Sequence, residues 1–149
     1  MLEDSLTGES NERTKLLVPL FKDSISAGFP SPAEDYMEAS IDLNEELIKH
    51  PISTFFLRVS GNSMRGEGIH NGDLLIVDRS INPAPGHIVI AVLDGEFTLK
   101  KLALYKDNLY LEAANPSTPA IDIRRYGEMQ IWGVATYSIH SLIKYKSLR

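Results

Sequence analysis

The 149-residue sequence contains no cysteine, a single tryptophan and no long apolar run. The absence of cysteine excludes disulfide bonds, thiolate nucleophiles and cysteine-ligated metal centres. No stretch approaches the ~18–20 apolar residues that a membrane-spanning helix needs. Residues 1–4 are acidic, whereas a secretory signal begins with basic residues, so the sequence predicts a cytoplasmic protein without a membrane segment.

Positive charge is too sparse for a protein that reads duplex DNA. The net charge is −5, with −7 on residues 1–49 and +2 on residues 50–149. Neither part has the dense basic stripe of a DNA-binding surface, so we expect no direct sequence-specific DNA binding. The acidic arm could lie against the mildly basic body, and a solvated tail explains the same charge equally well.

Most of the chain after Pro51 has the period-two apolar pattern that is typical of β-strands. The predicted strands cover residues 54–60, 73–78, 87–93, 97–104, 108–112, 121–124 and 130–140. Turn residues separate nearly all of them, and Asp94-Gly95 between two alternating runs predicts a two-residue hairpin. Many short strands at this spacing predict a mostly β fold, with a compact β domain over residues 51–149.

Residues 1–50 have a different composition and predict a largely extended N-terminal arm with a short helix. Residues 1–15 are polar, and the apolar cluster 16–21 is interrupted by Pro19, which favours a docking segment over a helix. Gly28 and the two following prolines keep residues 24–32 extended and accessible. Ser31 as N-cap predicts a helix from about residue 31 to 39, including Tyr36 and Met37, and residues 42–48 predict one or two further helical turns.

Ser63 is the first candidate for chemistry. It follows a predicted strand in the run Gly61-Asn62-Ser63-Met64. A serine beside a glycine is most often a simple turn residue. Here Gly61 permits a tight backbone path, Met64 is apolar where a solvent loop would carry a polar residue, and nearby main-chain N–H groups could form an oxyanion hole. Arg65 stands where a hydrolase nucleophile elbow has its second glycine, so that motif is absent.

Lys100 and Lys101 lie inside a predicted strand, where strict alternation directs one of them inward. Burial lowers the pKa of a lysine, and a neutral amine can accept a proton from a serine hydroxyl. Paired lysines on a strand are usually a solvated edge. Alternation alone does not decide which of the two is buried.

Histidine-based sites are the main competing interpretation. A triad of Ser63 with His70 or His87 and Asp73 or Asp78 has the right residue types. His50, His70, His87 and His140 show no ligand spacing, so we expect no metal and no other cofactor. The glycines at 66, 68 and 72 are not followed by a GKS or GKT sequence, which excludes a phosphate-binding loop.

Four stretches together resemble the LexA/UmuD family of self-cleaving serine–lysine peptidases, of the S24 type. They are Gly28-Phe29-Pro30-Ser31-Pro32-Ala33, Ser60-Gly61-Asn62-Ser63-Met64, Gly72-Asp73-Leu74-Leu75-Ile76-Val77-Asp78 and Asp94-Gly95-Glu96-Phe97-Thr98-Leu99-Lys100-Lys101-Leu102. The similarity extends from about residue 21 onward and is dense from 55 to 102.

The resemblance implies a function and a set of site residues. Ser63 would be the nucleophile, Lys100 rather than Lys101 the general base, and the N–H groups of Asn62 and Ser63 the oxyanion hole. The family cuts its own arm before a glycine, which here is the bond between Ala27 and Gly28; alanine stands where some members have cysteine. The arm is too short for the helix-turn-helix domain of LexA-type repressors.

The implied biological role is in the SOS response to DNA damage. A RecA–single-stranded DNA filament would stimulate the cut, and the trimmed homodimer would serve an error-prone translesion polymerase as an accessory to its UmuC-like catalytic subunit. Strand 130–140 is the predicted dimer surface. The alternatives are a non-enzymatic binding module of the same fold and a signal-peptidase-like serine protease.

Overall fold

The computed structural model describes residues 15–21, 24–29, 37–126 and 129–144. The chain divides into two compact units, Met1–Lys49 and His50–Arg149. No helix within the described ranges is long and apolar enough to cross a membrane.

The first unit contains a two-stranded antiparallel sheet and one short helix. Strand β1 (Val18–Phe21) pairs with β2 (Met37–Ile41), and helix α1 (Leu43–Leu47) follows directly. The Asp42 carboxylate accepts a hydrogen bond from the N–H of Asn44 at 3.0 Å, so it caps the helix where the sequence predicted helical turns.

The prediction of a helix from residue 31 to 39 is wrong for residues 37–39. Residues 31–36, including Tyr36, lie outside the described residues, but 37–39 belong to β2. Main-chain pairing with β1 outweighs the local helical preference there, because Leu20 lies opposite Ala39 and Pro19 opposite Ser40.

The second unit is built on one antiparallel sheet of seven strands, so the mostly β fold is confirmed. The strands are β3 (Thr54–Arg58), β4 (Leu74–Asp78), β5 (Ile88–Leu93), β6 (Glu96–Tyr105), β7 (Asn108–Glu112), β8 (Ile121–Asp122) and β9 (Met129–Ile139). Their order across the sheet is β3-β4-β9-β5-β6-β7-β8. The last strand therefore lies between the β3–β4 hairpin and the β5–β8 meander.

The predicted strands agree with these bounds to within a few residues, and the hairpin at Asp94-Gly95 is confirmed. Both of its residues have positive φ, +49° and +83°, as a tight turn matching the sheet twist requires. The strand predicted for 121–124 ends earlier, at Asp122. Its carboxylate accepts a hydrogen bond from the N–H of Arg124, which starts a 3₁₀ turn at Ile123–Arg125.

Apolar side chains form two buried clusters. The first comprises Met64, Ile69, Leu75, Val77 and Ile90, and the second comprises Val89, Ala91, Leu102, Leu111 and Val134. Neighbouring residues of β5 alternate between them, as the period of a strand requires.

A buried carboxylate fixes the start of the second unit. Asp78 Oδ2 lies 2.5 Å from His50 Nδ1, and its Oδ1 accepts hydrogen bonds from the hydroxyls of Ser53 and Ser80. Burial alone would raise the pKa of Asp78, but these hydrogen bonds outweigh it and hold the pKa far below its usual range. Through these contacts, Asp78 connects the 3₁₀ turn Pro51–Ser53 to the end of β4.

Candidate active site

The segment around Ser63 is shaped by residues on both sides of it. Gly61 has φ +98°, and its N–H donates to Asn71 Oδ1 at 2.8 Å. Met64 is only 2% exposed, because its side chain belongs to the first apolar cluster. The carbonyl of Ser63 accepts a hydrogen bond from the N–H of Ala114 at 3.1 Å. Ser63 itself remains exposed, held between an anchored methionine and a tight glycine turn.

Ser63 lines a pocket of about 340 Å³, within the size range of small ligand sites. Its wall consists of the end of β3, the loop after it and one segment each of β4, β5 and β6: Leu57, Arg58, Val59, Ser60, Gly61, Ser63, Met64, Leu75, Ile90, Phe97, Thr98 and Leu99. Residues Glu96–Lys100 pair with β5 on one side, whereas β7 pairs with β6 from Lys101 onward. Beside the pocket, β6 thus has a strand edge with no partner among the described residues.

Lys100 is held next to this pocket. Its Nζ donates to Thr98 Oγ1 at 2.8 Å and to the carbonyl of Leu99 at 3.2 Å, and both of these residues line the pocket. Partial burial lowers the pKa of Lys100, since the charged form loses solvation and both acceptors are neutral. Within the described residues, Lys100 makes no hydrogen bond to Ser63.

Lys101 has a different environment. Its Nζ lies 3.1 Å from Glu67 Oε1, and this carboxylate raises the pKa of Lys101. Glu67 belongs to the 3₁₀ turn Arg65–Glu67 that follows Ser63. Of the two lysines, Lys100 therefore has the less favourable environment for positive charge.

The predicted oxyanion-hole groups lie in the loop that carries Ser63. The carbonyl of Asn62 accepts a hydrogen bond from the N–H of Arg65. Across the ranges that the structure describes, the N–H groups of Asn62 and Ser63 donate to no protein acceptor. Both are thus available to a substrate carbonyl.

The histidines do not complete a serine triad within the described residues. His50 contacts Asp78, while His70 and His140 lie beside Asp73. His87 Nδ1 accepts a hydrogen bond from the N–H of Ala84. The convergence of His70, Asp73 and His140 was missed by the sequence analysis, because His140 is 67 residues from Asp73 and only strand pairing brings them together.

Ala27 and Gly28, the predicted cleavage site, lie outside the strands and helix of the first unit. Both are exposed, and their neighbours Ile25 and Phe29 are 95% and 90% exposed. The N–H of Gly28 donates a 3.3 Å hydrogen bond to the hydroxyl of Ser26. The backbone there is accessible, as the prolines and glycine predicted.

Comparison with known proteins identifies the family from most of the chain. Residues 19–136 match the family described as Peptidase S24-like. The chain belongs to this family. Its S24-like membership confirms the resemblance drawn from the motifs and places the chain among peptidases of the serine type.

Several S24-like relatives cover most of the chain. It is 45% identical over 135 residues to Protein SamA of Salmonella typhimurium, which is 91% of this chain and 94% of SamA. It is 50% identical over 122 residues to Protein ImpA of Escherichia coli, covering 82% and 83% of the two chains. Protein MucA of Escherichia coli is 44% identical over 123 residues, covering 82% and 84%.

Proposed function

We propose that this protein is a serine endopeptidase that cuts its own chain between Ala27 and Gly28, with Ser63 as nucleophile and Lys100 as general base. The observation that carries the proposal is the pocket that exposes Ser63 beside a lysine of lowered pKa. Membership of a serine-peptidase family supports the same chemistry. Residues 1–50 would act as the substrate arm and residues 51–149 as the peptidase and dimerisation domain.

The edge of β6 at Glu96–Lys100, which has no strand partner in the part of the chain that the structure describes, supports the way in which the arm would bind. An extended segment can add to a free strand edge through main-chain hydrogen bonds. Small residues at Ala27 and Gly28 suit a narrow cleft beside such an edge. Because substrate and catalyst belong to the same assembly, proximity lowers the barrier by several kcal/mol.

The steps follow from these residues. Neutral Lys100 takes the proton of the Ser63 hydroxyl, and Ser63 Oγ attacks the carbonyl carbon of Ala27. The N–H groups of Asn62 and Ser63 donate to the developing oxyanion. The Lys100 ammonium then protonates the amine of Gly28 as it leaves, and water hydrolyses the acyl-enzyme. To begin, the Lys100 side chain must turn from Thr98 toward Ser63, a rearrangement common for unliganded sites.

Intact-mass spectrometry at about pH 10 tests the dyad. A free lysine titrates near ~10.4, and the lowered pKa of Lys100 gives it a larger neutral fraction at that pH than a free lysine has. We expect the wild type to lose residues 1–27. Ser63→Ala and Lys100→Ala should stay intact, since loss of a general base costs roughly 10²–10⁴ in rate.

Lys101→Ala is the matched control, because it removes the same charge from the next position of the same strand. We expect it to cleave like the wild type. Three results would contradict the proposal: cleavage of Ser63→Ala, an equal loss of cleavage in the two lysine variants, or a cut at another bond. A chain that stays intact even with activated RecA filament would favour the non-enzymatic binding module. Cleavage of a separate peptide at the rate of self-cleavage would favour the signal-peptidase-like alternative.

The biological role extends the proposal, on the basis of the family resemblance. Self-cleavage would occur in the cytoplasm during the SOS response, stimulated by a RecA–single-stranded DNA filament. The trimmed homodimer would join a UmuC-like translesion polymerase subunit. Exposed apolar side chains at the end of β9 and beyond, Tyr137, Ile139, Leu142 and Ile143, support a protein-binding surface there. At neutral pH, activated filament should accelerate the cut in the wild type and not in Ser63→Ala.

A further inference from the structure

The Asp73 carboxylate lies between two histidines at the ends of two paired strands. Its His140 neighbour is close, with Nδ1 2.6 Å from Oδ1, and His70 Nδ1 is 3.7 Å from Oδ2. The two imidazole rings stack with their centroids 4.4 Å apart. Leu74 pairs with Ile139, so the arrangement is fixed by the main-chain register of β4 and β9.

One atom of this cluster is unexplained by protein contacts. His70 Nδ1 is buried and has no hydrogen-bond partner among the described residues. At 3.7 Å it is too far from the Asp73 carboxylate for a hydrogen bond. Buried polar atoms nearly always have a hydrogen-bond partner. A buried nitrogen that faces a buried carboxylate without such a partner therefore indicates a third group between them.

We propose that His70, Asp73 and His140 form a binding site for a divalent transition-metal ion of the zinc class. Their ligand atoms all lie within 4.8 Å of one another. Zinc ligands of these types sit about 2.0–2.2 Å from the ion, so small side-chain movements bring all three into reach. Two imidazoles and one carboxylate suit zinc, cobalt or nickel rather than calcium or magnesium, which favour oxygen ligands.

The surroundings provide the support that a metal site needs. Asp73 is 1% exposed, and its Oδ2 accepts hydrogen bonds from the N–H of His70 at 2.8 Å and from the hydroxyl of Ser138 at 3.0 Å. Such contacts orient a ligating carboxylate. The side chains of His70 and His140 are 36% and 44% exposed, which gives the ion a path in and leaves room for a water ligand.

Binding of the ion at His140 moves a proton. Because the Asp73 carboxylate accepts the hydrogen bond, His140 Nδ1 carries a proton in the metal-free protein. That proton leaves Nδ1 when the electron pair of this nitrogen binds the ion, and the neutral ring then carries its one proton on Nε2, taken up from solvent. His70 Nδ1 gains its missing partner at the same time.

The site touches the segment that precedes Ser63. The N–H of Gly72 donates to the carbonyl of Val59, and Asn71 Oδ1 accepts from Gly61. An ion at Asp73 would therefore brace the turn that supports the pocket wall. Its binding does not depend on the proposed peptidase activity.

Calorimetric titration with Zn²⁺ tests the proposal. The sample is the untagged full-length chain carrying Ser63→Ala, a substitution chosen to prevent self-cleavage. We expect one ion per chain. In this background, His70→Gln and His140→Gln should each weaken binding at least about tenfold. His87→Gln is the matched control, since it also removes one histidine but outside the cluster, and it should bind normally. The melting temperature of each metal-free variant verifies folding.

A second measurement needs no variant in the cluster. In nitrogen-detected NMR of the histidine rings, Zn²⁺ should shift the Nδ1 signals of His70 and His140 and leave those of His50 and His87 in place. The proposal is overturned if no ion binds, if the shifted rings are others, or if either glutamine variant in the cluster binds like the control.

Discussion

Lys100 and Lys101 show how far a single residue's surroundings determine its chemistry. The two side chains are identical and adjacent in sequence, yet among the described residues Lys100 donates only to neutral oxygens, whereas Lys101 faces Glu67. Burial lowers the pKa of the first, and the carboxylate raises that of the second. Two lysines whose pKa values are shifted in opposite directions thus occupy consecutive positions of one strand.

The lowered pKa implies that Lys100 costs stability when charged, so we expect Lys100→Met to raise the melting temperature at pH 7. Below the lowered pKa both states carry the proton, and the penalty is complete. Between that pKa and ~10.4 the unfolded chain binds more protons, so the stability of the wild type rises with pH. Thermal melts from pH 7 to about 11, made in the Ser63→Ala background so that self-cleavage does not interfere, should show the advantage of Lys100→Met shrinking across this window.

Lys101→Met is the control for this prediction. It removes a favourable partner of Glu67, so it should not stabilise the protein at pH 7. Equal stabilisation by both substitutions would mean that removal of any lysine from β6 stabilises, and the burial argument would be wrong.

At this scale the sequence predicted the candidate residues but not their contacts. Alternation indicated that one lysine faces inward, but it did not say which. The contact that separates their environments is between Lys101 and Glu67, which lies 34 positions earlier in the chain. The position of Met64 in the apolar cluster agrees with its unusual apolar character in a loop. Nothing in the sequence near Asp73 or near His140 predicted that these two residues are in contact.

At the scale of elements, two hairpin turns with the same geometry have very different sequences. Asp94-Gly95 joins β5 to β6, and Lys106-Asp107 joins β6 to β7, all four residues having positive φ. The first turn was predicted because glycine adopts that conformation without strain. The second carries no glycine, and no turn was predicted there, although the flanking strands were predicted.

This difference predicts opposite effects of two substitutions. Asp107→Gly should stabilise the protein by about 0.5–1 kcal/mol, because it relieves left-handed strain at φ +63°. Gly95→Ala should destabilise it by about 1 kcal/mol, since a side chain is strained at φ +83° although no atom lies within 4 Å of the new Cβ. Urea unfolding measures both.

Each of the two substitutions also serves as the control for the other. If Asp107→Gly lowered the unfolding free energy, the Asp107 side chain would be contributing a contact that outweighs backbone strain. If Gly95→Ala were neutral, the β5–β6 turn would have changed its type to accommodate the methyl group.

At the scale of the whole molecule, β9 joins the two parts of the sheet. It pairs with β4 through residues 134–139 and with β5 through 129–134, with register shifts at each contact. Trp132 on this strand contacts Phe55 of β3 and Phe97 of β6. The individual strands were predictable from their period, but this order was not, because it depends on pairing between residues 36 to 65 positions apart.

The position of β9 predicts cooperative unfolding, reported by the only tryptophan in the sequence. Trp132 fluorescence and far-ultraviolet circular dichroism should give coincident urea transitions. Gly133→Ala should lower the unfolding free energy by about 1–3 kcal/mol, because its Cβ would lie 2.6 Å from Val77 Cγ1 in the packed interior. The slope of the transition should stay the same.

Gly28→Ala is the matched control, since a Cβ at Gly28 meets nothing within 4 Å. We expect it to leave the transition unchanged when both substitutions are made in the Ser63→Ala background. Two separate transitions, one for each probe, would show that the β3–β4 hairpin and the β5–β8 meander unfold independently.

The central place of β9 also bears on how the protein is made. Ser63 lies between β3 and β4, and Lys100 lies on β6. The parts of the sheet that carry them are joined by β9, the last strand within the described residues to be translated. Long-range pairing of this kind forms only when the late segment has emerged. Under the proposed function, a nascent chain would therefore lack an assembled dyad while its arm is already exposed. The order of synthesis would then protect the arm from premature cutting until β9 takes its place.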